Sequence, residues 1–230
     1  MIKDNISDVI ARIDKACERS GRDRSRTTLI AVSKTKPVDM LKEAYDTGIR
    51  DFGENKVQEI MDKYDKLPKD IRWHMIGHLQ TNKVKYIADK IYMIHSVDSY
   101  KLASEISKYA LKAGRVIPVL IEVNVADEES KFGVTFDNAE SLIRQIAPLE
   151  GIKVTGLMAI APYTTNPEEN REYFARLRQL SVDITSKNID NISMSVLSMG
   201  MTGDYEVAIE EGSTYVRVGT GIFGERNYSV

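Results

Sequence analysis

The sequence predicts an α/β fold in which eight strands alternate with helices and close into a single (β/α)8 barrel of the TIM type, with an extra N-terminal helix. Short apolar or β-branched runs recur along the chain, and each is followed by a stretch with helical periodicity. The 230 residues suit one such barrel, and no linker or change in composition divides them. We therefore expect one domain over residues 1–230. An open doubly wound sheet is the alternative.

Each element follows from a local signal. Residues 3–19 carry one apolar stripe, as an amphipathic helix requires. The first strand, residues 29–32, is apolar on both faces, which is typical of a parallel strand covered on both sides. Pro37 and Pro167 suit the first turns of the helices that follow them. The remaining strands are predicted at residues 49–53, 73–77, 92–97, 117–125, 154–160, 193–198 and 215–218, and the remaining helices at 38–45, 57–64, 82–88, 99–112, 136–147, 166–187 and 205–211.

The composition excludes several classes of protein. With 42% hydrophobic and 29% charged residues, the chain can build a large core and is not of a disordered type. Its net charge of -2 gives no broad electrostatic case for nucleic acid. No apolar run is long enough to predict a membrane span, and the N-terminal stretch lacks the apolar segment of a signal peptide. The single cysteine, Cys17, fits a reducing compartment. We expect a cytoplasmic monomer.

A lysine and two glycine-bearing loops predict a ligand site. Lys34 follows the first strand, at the edge of an α/β fold where ligands bind, and is either a solvated charge or a chemical handle. The loops SMGMTGD and GTGIFG follow the seventh and eighth strands, where barrels frequently bind phosphate. Glycines let backbone N–H groups approach a ligand, and Ser198, Thr202 and Thr220 add hydroxyls. In a closed barrel, strand one lies beside strand eight, so Lys34 is expected next to this phosphate site.

Two kinds of ligand match these groups. Pyridoxal 5′-phosphate needs a lysine amine for an imine and an anchor for its phosphate. A phosphosugar held by salt bridges would use the same groups. Arg217 lies within the eighth strand, where a charge is costly unless it is paired. It is either part of a structural ion pair or a contact to the ring or phosphate of the ligand.

Six motifs occur in order along the chain: AVSKTKP at 31–37, FGEN at 52–55, WHMIGHLQ at 73–80, GLMAI at 156–160, SMGM at 198–201 and VRVGT at 216–220. Together they resemble the YggS/PROSC family, the pyridoxal phosphate homeostasis proteins. The resemblance covers essentially the whole chain. It implies a barrel similar to the N-terminal domain of alanine racemase, without the second domain of that enzyme.

The resemblance also implies site residues. Lys34 is expected to carry pyridoxal phosphate as an imine, and Arg217 to lie nearest the pyridine nitrogen. Thr202 stands where a serine is expected, which keeps the hydroxyl, and Gly221 stands where alanine is common. The other residues that the resemblance places in the cofactor site are Ser198, Gly200, Gly219 and Thr220.

Auxiliary roles are left open for several residues. Lys36 is either a solvated lysine or a second ammonium that lowers the pKa of Lys34. Lys131, in the loop after the fifth strand, is either a surface residue or a group that receives the cofactor in transit. Asn55 follows the second strand and is a candidate to hydrogen-bond the ring.

The histidines and methionines have simpler interpretations. His78 is a candidate for the mouth of the barrel, and Met158 is a candidate for pocket lining. His74 is assigned to packing. The histidine spacing predicts no metal site, and no cluster of cysteines or carboxylates completes one.

The sequence therefore predicts a pyridoxal phosphate-binding protein of vitamin B6 homeostasis. It would hold the cofactor on Lys34 and buffer it or deliver it to pyridoxal phosphate-dependent apoenzymes, with no catalytic residues of its own. The alternative is an amino-acid racemase, which needs acid/base groups on both faces of the substrate α-carbon. In the racemase that the barrel resembles, the second base is a tyrosine from the domain missing here. A third interpretation is a phosphosugar-binding barrel that forms no imine.

Overall fold

A computed structural model describes residues 1–128 and 132–225 and shows a closed barrel of eight parallel strands. The strands are neighbours in chain order, and the first pairs with the last. The predicted fold class is thus confirmed. The strands are β1 (Thr28–Val32), β2 (Asp51–Glu54), β3 (Arg72–Met75), β4 (Met93–Val97), β5 (Ile117–Glu122), β6 (Ile152–Met158), β7 (Ile192–Met201) and β8 (Tyr215–Val218).

Helices follow the strands on the outside of the barrel, and one helix precedes them all. Three short 3-10 helices occur at Arg24–Arg26, Thr81–Tyr86 and Pro167–Asn170. No helix in the described part of the chain is both long and apolar enough to cross a membrane. The α-helices are α1 (Ile2–Arg19), α2 (Val38–Asp46), α3 (Val57–Tyr64), α4 (Tyr100–Lys112), α5 (Phe136–Ile146), α6 (Arg171–Ser186), α7 (Tyr205–Glu210) and α8 (Thr220–Phe223).

The structure corrects some predicted boundaries. The helix expected at 82–88 is a 3-10 helix, and the loop expected after β8 contains α8. β5 ends at Glu122, three residues before the predicted end, because Asn124 closes a turn instead. The Asn124 side chain donates to the Glu128 carbonyl at 2.8 Å and accepts from the Glu128 N–H at 3.2 Å. An asparagine side chain of this kind competes with the strand ladder for backbone groups.

The barrel strands have two buried faces with different neighbours. Val119 and Ile121 of β5 belong to the large apolar cluster that the helices cover. Leu120, between them, packs in a separate cluster with Met93 and Met158. Because side chains alternate along a strand, this second cluster marks the inner face of the barrel. Residues two positions along from its members therefore also face the interior.

Close backbone packing fixes the β6–β7 contact. A Cβ atom on Gly156 would lie 1.7 Å from the carbonyl oxygen of Val196 on the neighbouring strand. No side-chain adjustment relieves a clash with backbone. β6 and β7 can therefore approach this closely only with glycine at this position.

We predict that Gly156→Ala destabilises the protein by about 3 kcal/mol, the upper end of the range for overpacking, because β6 and β7 must separate. Urea unfolding followed by circular dichroism measures the loss. Gly203→Ala is the matched control, since a Cβ atom there meets nothing within 4 Å. Equal unfolding midpoints for the two variants would show that the strands separate at no cost.

Candidate functional site

Lys34 lies in a constrained turn directly after β1 and is half-buried. Thr35 has φ 63°, a left-handed conformation that β-branched residues rarely adopt. Contacts hold this strained backbone in place. The Thr35 N–H donates to Glu59 Oε2 at 2.5 Å, and the Lys36 N–H donates to the Ser33 carbonyl at 3.1 Å. The backbone from which the Lys34 side chain extends is thus fixed at the C-terminal rim of the barrel.

A buried ion pair supports this turn from below. Lys63 Nζ donates to the Ser33 carbonyl at 2.9 Å and to Glu54 Oε1 at 2.7 Å. It also reaches Glu59 Oε2 at 3.1 Å, and the Ser33 hydroxyl donates to Glu54 Oε1 at 2.6 Å. Burial raises the pKa of Glu54 to about 7, although Lys63 and the hydrogen bonds oppose the shift. The Lys34 turn is therefore tied to both β2 and α3.

The two glycine-bearing loops meet beside this turn. The Gly219 N–H donates to Thr202 Oγ1 at 3.3 Å, so the loop after β7 contacts the loop after β8. Gly200 has φ 88°, and a Cβ atom there would lie 2.6 Å from the Cβ of Ala208. Gly219 packs against Val32, where an added Cβ would meet Val32 Cβ at 3.4 Å. Thr220 is exposed at the start of α8. The ends of β1, β7 and β8 therefore form one surface.

Lys36 joins the β1–α2 loop to the same surface. Its Nζ donates to three carbonyl oxygens, those of Phe223 at 3.1 Å, Gly224 at 3.0 Å and Glu225 at 2.9 Å. A lysine in this position binds the carbonyls that the C-terminal end of α8 leaves unpaired. Lys36 is thus engaged with the chain rather than solvated. Its effect on the pKa of Lys34 stays a prediction.

Arg217 lies on the inner face of β8 and is 3% exposed. Its Nη1 donates to Ser198 Oγ at 2.7 Å and its Nη2 donates to the Ala159 carbonyl at 2.8 Å. No carboxylate of the residues described lies within ion-pair distance of Arg217, so the structure does not show the structural ion pair, which was one of the two alternatives. Burial lowers the pKa of Arg217 to about 10, against the opposing charges of Asp204 and Glu122.

A row of buried hydrogen bonds leads away from Arg217. Ser198 Oγ lies 2.9 Å from His95 Nδ1, and His95 Nε2 lies 2.9 Å from His74 Nδ1. His74 Nε2 lies 2.9 Å from Asp51 Oδ1. With both imidazoles neutral, only one proton arrangement satisfies every contact, because arginine only donates and a carboxylate only accepts. In that arrangement each group donates toward Asp51. We call these five residues the barrel relay.

The electrostatics of the barrel relay agree with this arrangement. Burial lowers the pKa of His74, which Asp51 opposes, and lowers the pKa of His95 well below its usual value. Burial alone would raise the pKa of Asp51, but hydrogen bonds from Arg72 and His74 bring it below the usual range. Arg72 binds Asp51 through two contacts, at 2.8 Å and 2.5 Å. The cationic and anionic ends of the relay are thus joined through neutral groups.

A carboxyl group and a histidine lie on the wall of the barrel mouth that is opposite β1. Glu122 ends β5 on the same face as Leu120 and is 6% exposed. Burial raises its pKa to about 7, Asp98 adds to the shift, and Arg217 opposes it. His78 is exposed at the rim, 3.8 Å from the Asp98 carboxylate, and it stacks on Phe132 with ring centres 3.9 Å apart.

The remaining predicted residues have distinct positions. Asn55 is half-buried after β2, and its backbone packs against Gly77, where a Cβ would lie 2.6 Å from the Asn55 carbonyl. Met158 is fully buried on the inner face. Lys131 lies outside the described residues. The roles predicted for these residues and for Ser198, whose hydroxyl is engaged in the barrel relay, stay predictions.

His95, Asp51 and Glu122 lie at the site but were not predicted, and His74 was predicted to pack. The signal that the sequence offers is the alternation of side chains along a strand. His74 lies in the third predicted strand and His95 in the fourth, so each side chain faces one defined side of the sheet. A polar side chain on a strand with two buried faces needs a polar partner. That rule indicates that each histidine has a buried polar partner, but it does not say which residue the partner is.

We predict that His95→Leu destabilises the protein by about 2–4 kcal/mol at pH 8, because it leaves Ser198 and His74 without their partners. The folded-state pKa values of His74 and His95 are lowered, so the stability that these two histidines contribute is fully present above pH 6.5 and is lost as the pH falls below it. The variant has one buried histidine fewer and should lose less stability over that fall.

Urea unfolding at pH 8, 6.5 and 5.5 measures both effects. His78→Gln is the control, because His78 is exposed. Its loss should change neither the stability at pH 8 nor the stability that is lost between pH 8 and pH 5.5. A His95→Leu variant with wild-type stability at pH 8 would show that the relay contributes nothing to the fold.

The fold and the site define a class of protein, a single barrel of the alanine racemase type with the predicted site residues at the mouth. A sequence profile described as "Alanine racemase, N-terminal domain" matches residues 5–227. The pyridoxal phosphate homeostasis protein of Aquifex aeolicus is 49% identical over 98% of each chain. That of Pseudomonas aeruginosa is 40% identical over 99% of this chain and 96% of its own.

A solved structure shows the same similarity. PipY of Synechococcus elongatus, solved with pyridoxal phosphate bound, is 32% identical, with a TM-score of 0.84 over 97% of this chain and 100% of that chain. The chain belongs to the pyridoxal phosphate homeostasis protein family, the YggS/PROSC family. The resemblance stated from its motifs is therefore confirmed.

Proposed function

We propose that this protein binds pyridoxal 5′-phosphate as an imine on Lys34 and acts in its homeostasis inside the cell. It buffers the cofactor or delivers it to pyridoxal phosphate-dependent apoenzymes. One observation supports this most strongly: the constrained Lys34 turn lies beside the two loops after β7 and β8. The bound cofactor of the related PipY supports the choice of ligand.

The residues present fit that cofactor. Its aldehyde supplies the electrophile that a lysine amine needs to form an imine. Thr202 and Thr220 offer hydroxyl groups beside α8, where the first N–H groups lack intrahelical acceptors. Gly219 links the two loops through its hydrogen bond to Thr202. Arg217 is held as a donor and is not neutralised by a carboxylate of the described residues. Facing the pyridine nitrogen, it would keep that nitrogen unprotonated and the ring a weak electron sink. Such a ring suits storage better than carbanion chemistry.

The first test is covalent trapping. Purified protein mixed with pyridoxal 5′-phosphate should show a visible imine absorbance, and borohydride followed by peptide mass mapping should place the adduct on Lys34. Lys34→Ala should lose the absorbance and the adduct. Lys42→Ala is the matched control, because Lys42 is an exposed lysine on the neighbouring α2. A wild-type protein that stays colourless and unmodified would reject the imine and favour a phosphosugar-binding barrel.

An amino-acid racemase is the second candidate, because the profile match is to a racemase domain and Glu122 places a titratable carboxyl at the mouth. Tyr92 and Tyr215, which contact His74, do not supply a second base at the mouth of the barrel. They lie at the N-terminal ends of β4 and β8, at the other end of the barrel from Lys34.

We expect no racemisation of alanine above the rate of free pyridoxal phosphate. Chiral chromatography of L-alanine incubated with the loaded protein measures it. Lys34→Ala is measured in parallel, because a background reaction has the same rate with the variant as with the wild-type protein. Racemisation by the wild-type protein that disappears in Lys34→Ala would establish the enzyme and reject the carrier.

A further inference from the structure

One carboxyl oxygen of the buried Glu122 side chain has no hydrogen-bond partner among the described residues. Glu122 is 6% exposed, and this oxygen, Oε2, is fully buried. The side chain faces the barrel interior at the last residue of β5, level with Met158 of β6. Leaving a buried acceptor unpaired is costly, and no contact among the described residues compensates for it. A ligand with an N–H donor would supply the missing contact.

The charges around Glu122 define that partner. Asp98 follows β4 and adds negative charge on the same wall. Arg217 faces Glu122 from β8, but its guanidinium donates to Ser198 and Ala159. His95 on β4 is neutral, and His78, beyond β3, contacts Asp98 from the rim. The wall therefore presents carboxyl oxygens, and no donor among the described residues reaches Glu122 Oε2.

We propose that Glu122 and Asp98 form a subsite for a primary ammonium group, on the wall of the mouth opposite the strand that leads to Lys34. In the strand order β5 lies across the barrel from β1. A primary ammonium has three N–H donors and one positive charge, which match the bare Oε2 and the pair of carboxyls. The described residues contain no cluster of three or more metal-ligating side chains, so a metal ion fits this wall less well.

The subsite deepens the proposed function and rests on it. An imine on Lys34 passes to another amine by exchange. The bound ammonium gives one proton to the Glu122 carboxylate and becomes the nucleophilic amine. Its nitrogen then forms the new C=N bond while the C=N bond to Lys34 breaks, and its two remaining N–H protons end on the Lys34 amine. An ammonium group is therefore the chemistry that this mouth would recognise in an acceptor that takes the cofactor by exchange. The far wall binds and orients that group before the exchange.

The test uses the full chain without cofactor. Protein labelled with ¹³C-glutamate is titrated by NMR, and the Glu122 carboxyl signal is identified by its loss in Glu122→Gln. Ethylammonium chloride should lower the titration midpoint of Glu122 by about one pH unit, which is a tenfold preference for the ionised carboxyl. Tetramethylammonium chloride has the same charge and no N–H donor, so at equal ionic strength it should leave the midpoint unchanged.

Variants make the assignment specific. Asp98→Asn should reduce the ethylammonium effect severalfold. Glu150→Gln is the matched control, because Glu150 is an exposed carboxylate in the turn after α5, and this variant should respond as the wild type does. A midpoint that ethylammonium does not move would overturn the subsite. Equal shifts from both ammonium ions would also overturn it, since they would show ionic screening alone.

The trapping experiment on Lys34 separates this inference from the proposed function. A protein that forms the Lys34 adduct but shows no ethylammonium effect keeps its function and loses the subsite. A protein that shows the ethylammonium effect but forms no adduct binds ammonium groups at this wall and is not a cofactor carrier.

Discussion

The pairing of β1 with β8 is the constraint on which the site depends. Four consecutive residue pairs, from Thr28 with Tyr215 to Ala31 with Val218, close the barrel in parallel register. Continuing this register puts Val32 beside Gly219 and leads the Lys34 turn to the loop after β8. Neither loop could form the proposed site alone, because one would supply the amine and the other the backbone donors. Closure brings them together from the two ends of the chain.

Closure also creates a buried interior in which an unpaired charge is costly. The barrel relay connects the two charged groups there, Arg217 and Asp51, through hydrogen bonds. A direct ion pair between Arg217 and Asp51 would neutralise both charges, but the guanidinium would then donate to Asp51. The relay instead joins them through Ser198, His95 and His74, which stay neutral. Arg72 neutralises Asp51 at the other end, 2.5 Å away. The positive charge of Arg217 is thus kept near the mouth, where a ligand can use it.

The fold was largely predictable, because apolar or β-branched runs recur along the chain and stretches with helical periodicity follow most of them. The motifs around Lys34 and Gly219 indicated the site, since they follow predicted strand ends. The barrel relay was not predictable from local pattern. Its five residues come from five strands, and only the stagger of those strands decides that their polar atoms meet. The end of β5 depended on two side-chain contacts of Asn124.

Glu54 and Glu122 show why burial alone does not identify a binding group. Burial raises the pKa of each carboxyl to about 7, and each has a buried Oε2 without a partner among the described residues. The Oε1 of Glu54 accepts from Lys63 and Ser33, and its strand position faces α3, so its charge holds the Lys34 turn. Glu122 has the opposite orientation, toward the interior, and no cation of residues 1–128 or 132–225 forms a salt bridge with it. The same side chain is thus structural on the outer face of the barrel, and on the inner face it is the group proposed to bind a ligand.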